Sequence, residues 1–211
     1  CGGSIIKPDI VVTAAHCLQR HVYTLLADII VQAGLLDINK PPNYRQVRSV
    51  QKFAVHEWYD FPANDIALLK LAAPFDFTES QGHIGAVCLP AKDHPLKNNV
   101  EVTGWETTSS RGPSSSHLLA VSVPVISSMI CRLKTSRSYD SKTMFCTGSP
   151  GKDSCQEDSG GPAVQKKSGS SILVGVVSYG DCCAKAPMYS VYTRVPAYTD
   201  WIPENIAKLQ S

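Results

Sequence analysis

Asp153-Ser154-Cys155-Gln156-Glu157-Asp158-Ser159-Gly160-Gly161-Pro162 is the stretch on which the reading of this chain turns. Two glycines and a proline after a serine mark a tight turn, and small neighbours let the hydroxyl project from it. Alone, such a segment is ordinary turn punctuation. A serine hydroxyl is a poor nucleophile at neutral pH, so acyl transfer requires an imidazole to take its proton and a carboxylate to fix that imidazole. Two other segments supply these groups. Thr13-Ala14-Ala15-His16-Cys17 closes an apolar run, and Asn64-Asp65-Ile66-Ala67-Leu68-Leu69 sets an acid just ahead of another. Both positions suit side chains presented at the rim of a barrel.

The remaining sequence favours strands around these segments. With 211 residues and 43% hydrophobic content, the chain can bury the core of one large domain or of two small ones packed together. Short apolar runs alternate with Gly, Pro, Ser and Asn, and heptads are absent, which predicts an all-β architecture; a sandwich and a pair of barrels both fit. Strands are expected over 10–13, 29–33, 47–55, 66–71, 100–103, 118–125, 172–178 and 191–195. Exposed loops are expected over 39–43 and 109–116. Helices are expected over 127–133 and 198–209, the second with Trp201, Ile202, Ile206 and Leu209 on one face and Pro203 in its first turn.

Several function classes are disfavoured. The net charge of +2 is small and the cations are scattered, so no stripe exists to neutralise a run of phosphates, and nucleic acid is not an expected partner. No apolar run approaches the roughly 20 residues of a membrane span, so membrane insertion is not expected. Eight cysteines point to an oxidising compartment, and no CxxC pair suggests zinc. The histidines lack the spacing that sets two metal ligands on one helical face, and no metal or cofactor is expected. No charged, apolar and small-residue leader precedes Cys1, so the chain reads as processed, trimmed or incomplete.

With Cys1-Gly2-Gly3-Ser4-Ile5-Ile6 ahead of the His16 segment, and Gly104-Trp105 between the Asp65 and Ser159 segments, the chain resembles the chymotrypsin–trypsin family nearly end to end and in order. The resemblance implies two packed six-stranded antiparallel β-barrels with a C-terminal helix. Residues 1–86 would form a first barrel, incomplete at its start, carrying His16 and Asp65. Residues 87–211 would form the second barrel and the terminal helix, carrying Ser159 and the specificity pocket, and the two together one peptidase domain. Ser159 takes the role of nucleophile, His16 of general base and Asp65 of orienting carboxylate. His21, His56, His83, His94 and His117 are expected to be ordinary surface or core residues.

By the same resemblance, Asp153, Ser154, Gln156, Ser178, Tyr179, Gly180 and Ser190 line the substrate pocket. Asp153 matches the position whose carboxylate attracts Arg or Lys, which implies cleavage after those residues. Gly180 leaves one wall open, whereas Ser190 stands where glycine is usual and should narrow the entrance. The backbone N–H groups of Glu157 and Ser159 would form the oxyanion hole. Glu157 departs from the family's glycine, and losing one such donor costs about a hundred- to a thousandfold in rate. The alternative reading is therefore a weak or inactive homologue acting as a binding module in a protease cascade.

The resemblance also implies the disulfides Cys1–Cys17, Cys131–Cys146 and Cys155–Cys183. It gives Cys88 a link to a propeptide or upstream chain and leaves Cys182 without an assigned partner. Val100 and Gln165 stand where many members carry a further bridge. Asp158 matches the acid that pairs with a new N-terminal amine after zymogen cleavage, so a chain beginning at Cys1 is expected to be inactive. Leu35 and Arg45 fall near the expected calcium-ligand positions, which disfavours calcium, and Tyr189 matches a tyrosine that accompanies sodium sensitivity in some members. A secreted, extracellular protein meeting protein or peptide substrates and protein inhibitors is the expectation.

Overall fold

The computed structural model describes residues 1–19, 26, 29–96, 98–105, 115–135, 138–149, 158–180 and 188–211. Two curled antiparallel sheets follow one another along the chain. The first contains β1 (Ser4–Lys7), β2 (Ile10–Thr13), β3 (Ile30–Ala33), β4 (Gln46–Val55) and β5 (Ala67–Leu71), in the order β1-β2-β5-β4-β3. The second contains β6 (Asn99–Gly104), β7 (Leu119–Pro124), β8 (Met144–Ser149), β9 (Pro162–Lys167), β10 (Ser170–Gly180) and β11 (Met188–Arg194), in the order β7-β6-β9-β10-β11-β8. Short helices α1 (His16–Gln19) and α2 (Ser128–Lys134) lie between strands, and α3 (Trp201–Gln210) ends the chain.

The apolar runs in β2 and β5 are continuous because both strands are buried on both faces. Alternate side chains of a strand point to opposite sides of its sheet. Val11, Ala67, Leu69 and Leu71 enter the core of the first sheet. Ile10, Val12, Ile66 and Leu68 turn the other way, into a cluster that also holds Leu173, Val176, Val195, Ile202 and Ile206 from the second half. That shared cluster joins the two sheets. Burying each Val, Leu or Ile side chain contributes roughly 1.5–3 kcal/mol, so the cluster is a large term in holding the halves together.

Helix α3 supplies much of the shared cluster. Trp201, Ile202, Ile206 and Leu209 are buried. Pro203 is the third residue of the helix, where its missing N–H interrupts no intrahelical bond. A 3-10 turn, Val195–Tyr198, leads into it. Helix α2 is capped by Ser127, whose hydroxyl accepts from the Ile130 N–H at 3.4 Å, and its Cys131 is tied to Cys146 of β8. The second sheet has its own core, including Val100, Phe145, Val174 and Tyr192.

The strand expected over 10–13 matches β2 residue for residue, and the other seven expected strands fall on β3, β4, β5, β6, β7, β10 and β11 with ends displaced by a few residues. Strands β1, β8 and β9 were not among those expected. Ser4-Ile5-Ile6-Lys7 is too short to declare a period. Met144-Phe145-Cys146-Thr147-Gly148-Ser149 shows no polar-apolar alternation because both of its faces are buried, Phe145 in one cluster and Met144 with Cys146 in another. In Pro162-Ala163-Val164-Gln165-Lys166-Lys167 the proline is a turn signal, yet the first residue of a strand tolerates it. The first sheet has five strands among the described residues, where six were expected. Of the expected loops, 39–43 is largely exposed, and 109–116 lies mostly outside the described residues.

Candidate active site

His16 opens α1 directly after β2, so its position is set by one of the most buried strands in the protein. Its backbone N–H donates to Asp65 Oδ1 at 2.9 Å, and its ring Nδ1 lies 2.7 Å from Asp65 Oδ2. Asp65 sits just before β5, the strand paired with β2, and its side chain is fully buried. Adjacent strands thus bring together two residues 49 positions apart. A carboxylate on Nδ1 selects the tautomer with the proton there and leaves Nε2 as the basic nitrogen.

A buried carboxylate is tolerable only when its oxygens are satisfied. The Ser178 hydroxyl donates to Asp65 Oδ2 at 2.5 Å, and the Thr193 hydroxyl donates to the Asp65 carbonyl at 2.7 Å. The Tyr198 hydroxyl donates to Asn64 Oδ1 at 2.9 Å. These donors come from β10, β11 and the turn before α3, so the second sheet holds the acid that stands on the first. Burial pushes the Tyr198 phenol well above its ordinary range, and burial with the Asp65 and Asp60 charges pushes Tyr59 up to about 12. Both phenols stay neutral at physiological pH. The edge of Phe61 meets the His16 ring at a centroid distance of 5.8 Å, and Phe61 in turn meets Tyr179 at 5.9 Å.

Ser159 is brought to the same place by backbone packing. The Gly2 N–H donates to the Ser159 carbonyl at 2.8 Å, and Thr13 Oγ1 donates to the Gly2 carbonyl at 2.8 Å. The Cys17 sulfur lies 3.9 Å from His16 Nε2 and 3.5 Å from the Ser159 carbonyl oxygen, so it touches both the His16 ring and the serine turn. Gly160 has φ +81°, and a Cβ there would lie 2.3 Å from Thr13 Oγ1 and 2.7 Å from the Gly2 carbonyl. Only glycine fits. The Cys1–Cys17 disulfide ties residue 1 to the residue after His16. Cys1, His16 and Cys17 lie close together, but both sulfurs are committed to that bond and offer no thiolate to a metal.

The Asp158 carboxylate accepts from the Trp105 N–H at 2.6 Å. A Cβ on Gly104 would lie 2.6 Å from the same carboxylate oxygen, which accounts for the glycine before Trp105. Of the pocket residues singled out in the sequence, Ser178, Tyr179 and Gly180 form the end of β10 and Ser190 belongs to β11. Gly180 and Ser190 are direct cross-strand partners, and a Cβ on Gly180 would stand 3.4 Å from Ser190 Oγ. The serine hydroxyl therefore reaches over the face that Gly180 leaves open. Asp153, Ser154, Cys155, Gln156, Glu157, Cys182 and Cys183 lie outside the described residues.

The structure thus brings His16, Asp65, Ser159 and Ser178 together from both halves. Thr193, Tyr198 and Phe61 support the pair without standing among the expected site residues, and Ser178, expected in the pocket, donates to Asp65. No local pattern marks them. Ser178, Thr193 and Tyr198 stand 113, 128 and 134 positions from their partners.

The trypsin family model matches residues 1–202. Trypsin-1 of Astacus astacus is 38% identical over 209 residues, covering 97% of this chain and 87% of that protein. Venom serine protease Bi-VSP of Bombus ignitus is 36% identical over 215 residues, covering 95% of this chain and 57% of that protein. Coagulation factor IX of Cavia porcellus is 34% identical over 211 residues, covering 95% and 71% respectively.

Proposed function

Because the chain belongs to the trypsin family of serine proteases, we propose that it is a secreted endopeptidase that cleaves after Arg or Lys through an acyl-enzyme on Ser159. The observation that carries this reading is the clamped imidazole. Nδ1 of His16 is held by the buried Asp65 carboxylate, which leaves Nε2 to take a proton, and the Cys17 sulfur beside Nε2 also touches the Ser159 carbonyl.

The chemistry follows from that clamp. His16 Nε2 takes the Ser159 hydroxyl proton as Oγ attacks the scissile carbonyl, whose π electrons move to oxygen. The backbone N–H groups of Ser159 and Glu157 donate to that oxyanion. Collapse of the intermediate expels the amine, which receives the proton from Nε2, and leaves an ester on Ser159. Water then attacks the ester, giving its proton to His16, and Ser159 departs as the hydroxyl. The Asp65 carboxylate stabilises the imidazolium. Its fully buried charge, satisfied by His16 and Ser178, is suited to that electrostatic role.

Asp153 supports the preference for a cationic residue before the scissile bond, and the Ser190 hydroxyl over Gly180 tightens the pocket mouth. A peptide panel varied at that residue tests the assignment. Cleavage confined to Arg and Lys is expected; equal cleavage after Phe or Leu contradicts it. We also propose that Cys88 carries a disulfide to a propeptide or upstream chain separated by cleavage. Its thiol is exposed and has no partner among the described residues, and it precedes Leu89 and Pro90, which with Ile206 line a cavity of about 400 Å³. Loss of mass from the secreted protein on reduction is the expected sign of that link.

A further inference from the structure

The Cys1–Cys17 disulfide lies against the imidazole of the candidate site. Cys17 Sγ is 3.9 Å from His16 Nε2, and both sulfurs lie within 4.8 Å of a ring nitrogen of His16. Around a tetrahedral zinc-type ion, with bonds of about 2.3 Å to sulfur and about 2.0 Å to nitrogen, neighbouring ligand atoms stand roughly 3.5–3.8 Å apart. Only the sulfur–sulfur bond keeps these three atoms from that arrangement. While the bond is intact neither sulfur is a thiolate ligand; once it opens, both are available.

The rest of a metal site is already built. A metal-ligating histidine almost always donates its other ring N–H to an oxygen acceptor such as a carboxylate, which fixes the ring and raises the basicity of the ligating nitrogen. His16 has this support, with Nδ1 2.7 Å from the fully buried Asp65 carboxylate, which also accepts from Ser178. The two cysteines are held by more than their mutual bond. The Gly2 N–H donates to the Ser159 carbonyl at 2.8 Å, Thr13 Oγ1 donates to the Gly2 carbonyl at 2.8 Å, and the Cys17 N–H donates to the Ala14 carbonyl at 3.3 Å. The bridge spans only 16 positions, so opening it costs less stability than opening one that closes a long loop. Cys1 is exposed, within reach of a reductant.

We infer that opening the Cys1–Cys17 disulfide turns this place into a binding site for a thiophilic divalent cation of the zinc class, held by Cys1 Sγ, Cys17 Sγ and His16 Nε2 with water in the fourth position. A dithiol supplies the two electrons. Its thiolate attacks one sulfur, the mixed disulfide collapses to the cyclic disulfide of the reductant, and Cys1 and Cys17 are left as thiols. Capture of the cation releases their two protons to solvent. Two thiolates cancel the divalent charge, so the loaded site adds no net charge beside Asp65. Because Nε2 is the nitrogen proposed to take the Ser159 proton, the loaded protein is switched off, and a chelator restores it. Binding stands on the geometry alone; only its effect on turnover rests on the peptidase reading.

The test reduces the full-length protein with an immobilised dithiol, filters the reductant away, and titrates anaerobically with cobalt(II), whose thiolate charge-transfer and tetrahedral d–d bands report the ligands directly. A cobalt site with two thiolates and an imidazole is expected, displaced by zinc and absent before reduction. Cys17→Ser, His16→Ala and Asp65→Asn, the last a positioning residue that touches no metal, should each weaken binding by about 10- to 100-fold. A readout that needs no variant is alkylation mapped by mass spectrometry: zinc should protect Cys1 and Cys17 in the reduced protein. Zinc should also inhibit peptide hydrolysis by the reduced protein and not by the disulfide-intact one, with recovery on chelation. The inference is overturned by a cobalt spectrum unchanged in His16→Ala, by protection that falls on other cysteines, by equal binding with the disulfide intact, or by loss of the fold on reduction. Correct cobalt binding in a protein that never hydrolyses peptides sinks the peptidase reading and leaves the site standing.

Discussion

At the residue scale, the site depends on how a single buried carboxylate is satisfied. Asp65 receives the His16 N–H, the His16 ring and the Ser178 hydroxyl, so each neighbour can be removed and read separately. Ser178→Ala leaves one oxygen short of a donor in a fully buried place and should cost about 1–3 kcal/mol in urea unfolding, with a fall in kcat. Asp65→Asn keeps the shape but presents the wrong tautomer to Ser159, and steady-state hydrolysis should fall about 10⁴-fold in kcat. Glu157→Gly removes a carboxylate from beside the developing oxyanion and should raise kcat, by up to about a hundredfold; an unchanged kcat contradicts a cost of that side chain. His16, Asp65 and Ser159 can be proposed from the sequence because each sits in a compact motif. Thr193, Tyr198 and Phe61 cannot, since their roles exist only once distant strands meet.

At the element scale, α3 is joined to the strand that leads to Asp65. His56 follows β4, stacks on Trp201 at 5.1 Å and meets Tyr198 edge-on at 5.3 Å, while the Trp201 indole donates to Glu57 at 2.8 Å. Burial lowers the His56 pKa below its ordinary value, against a smaller raising effect of Glu57. The folded state therefore binds this proton less readily than the unfolded state does. Above the unfolded pKa of about 6.5 the group costs nothing, and stability is lost as pH falls through that value toward the lower folded one. Melting temperature should drop between about pH 7 and pH 5, and His56→Phe should flatten that part of the curve. A profile unaltered by the substitution contradicts the assignment. Strands β2 and β5 were readable because two-sided burial makes them continuous apolar runs. Strand β8 was hidden because its residues serve two clusters, and β1 because four residues show no period.

At the scale of the whole molecule, two sheets and one helix share a cluster, and the candidate site lies where the halves meet: His16 and Asp65 from the first, Ser159 and Ser178 from the second. The paired architecture was legible from the order of the motifs, whereas the strand order of each sheet was visible only in three dimensions. Separating the halves should therefore abolish the site before either sheet core is lost. Helix α3 offers the handle. Ile202→Ala removes a fully buried side chain from the shared cluster and should cost about 2–5 kcal/mol in thermal or urea unfolding. We propose that Ser159 is a nucleophile armed by His16 and Asp65, and treating the activated full-length protein with a fluorophosphonate and mapping the adduct by mass spectrometry tests this. A single adduct on Ser159, absent from Ser159→Ala and strongly slowed in His16→Ala, is the predicted result; a folded, activated protein that takes up no label at Ser159 contradicts it.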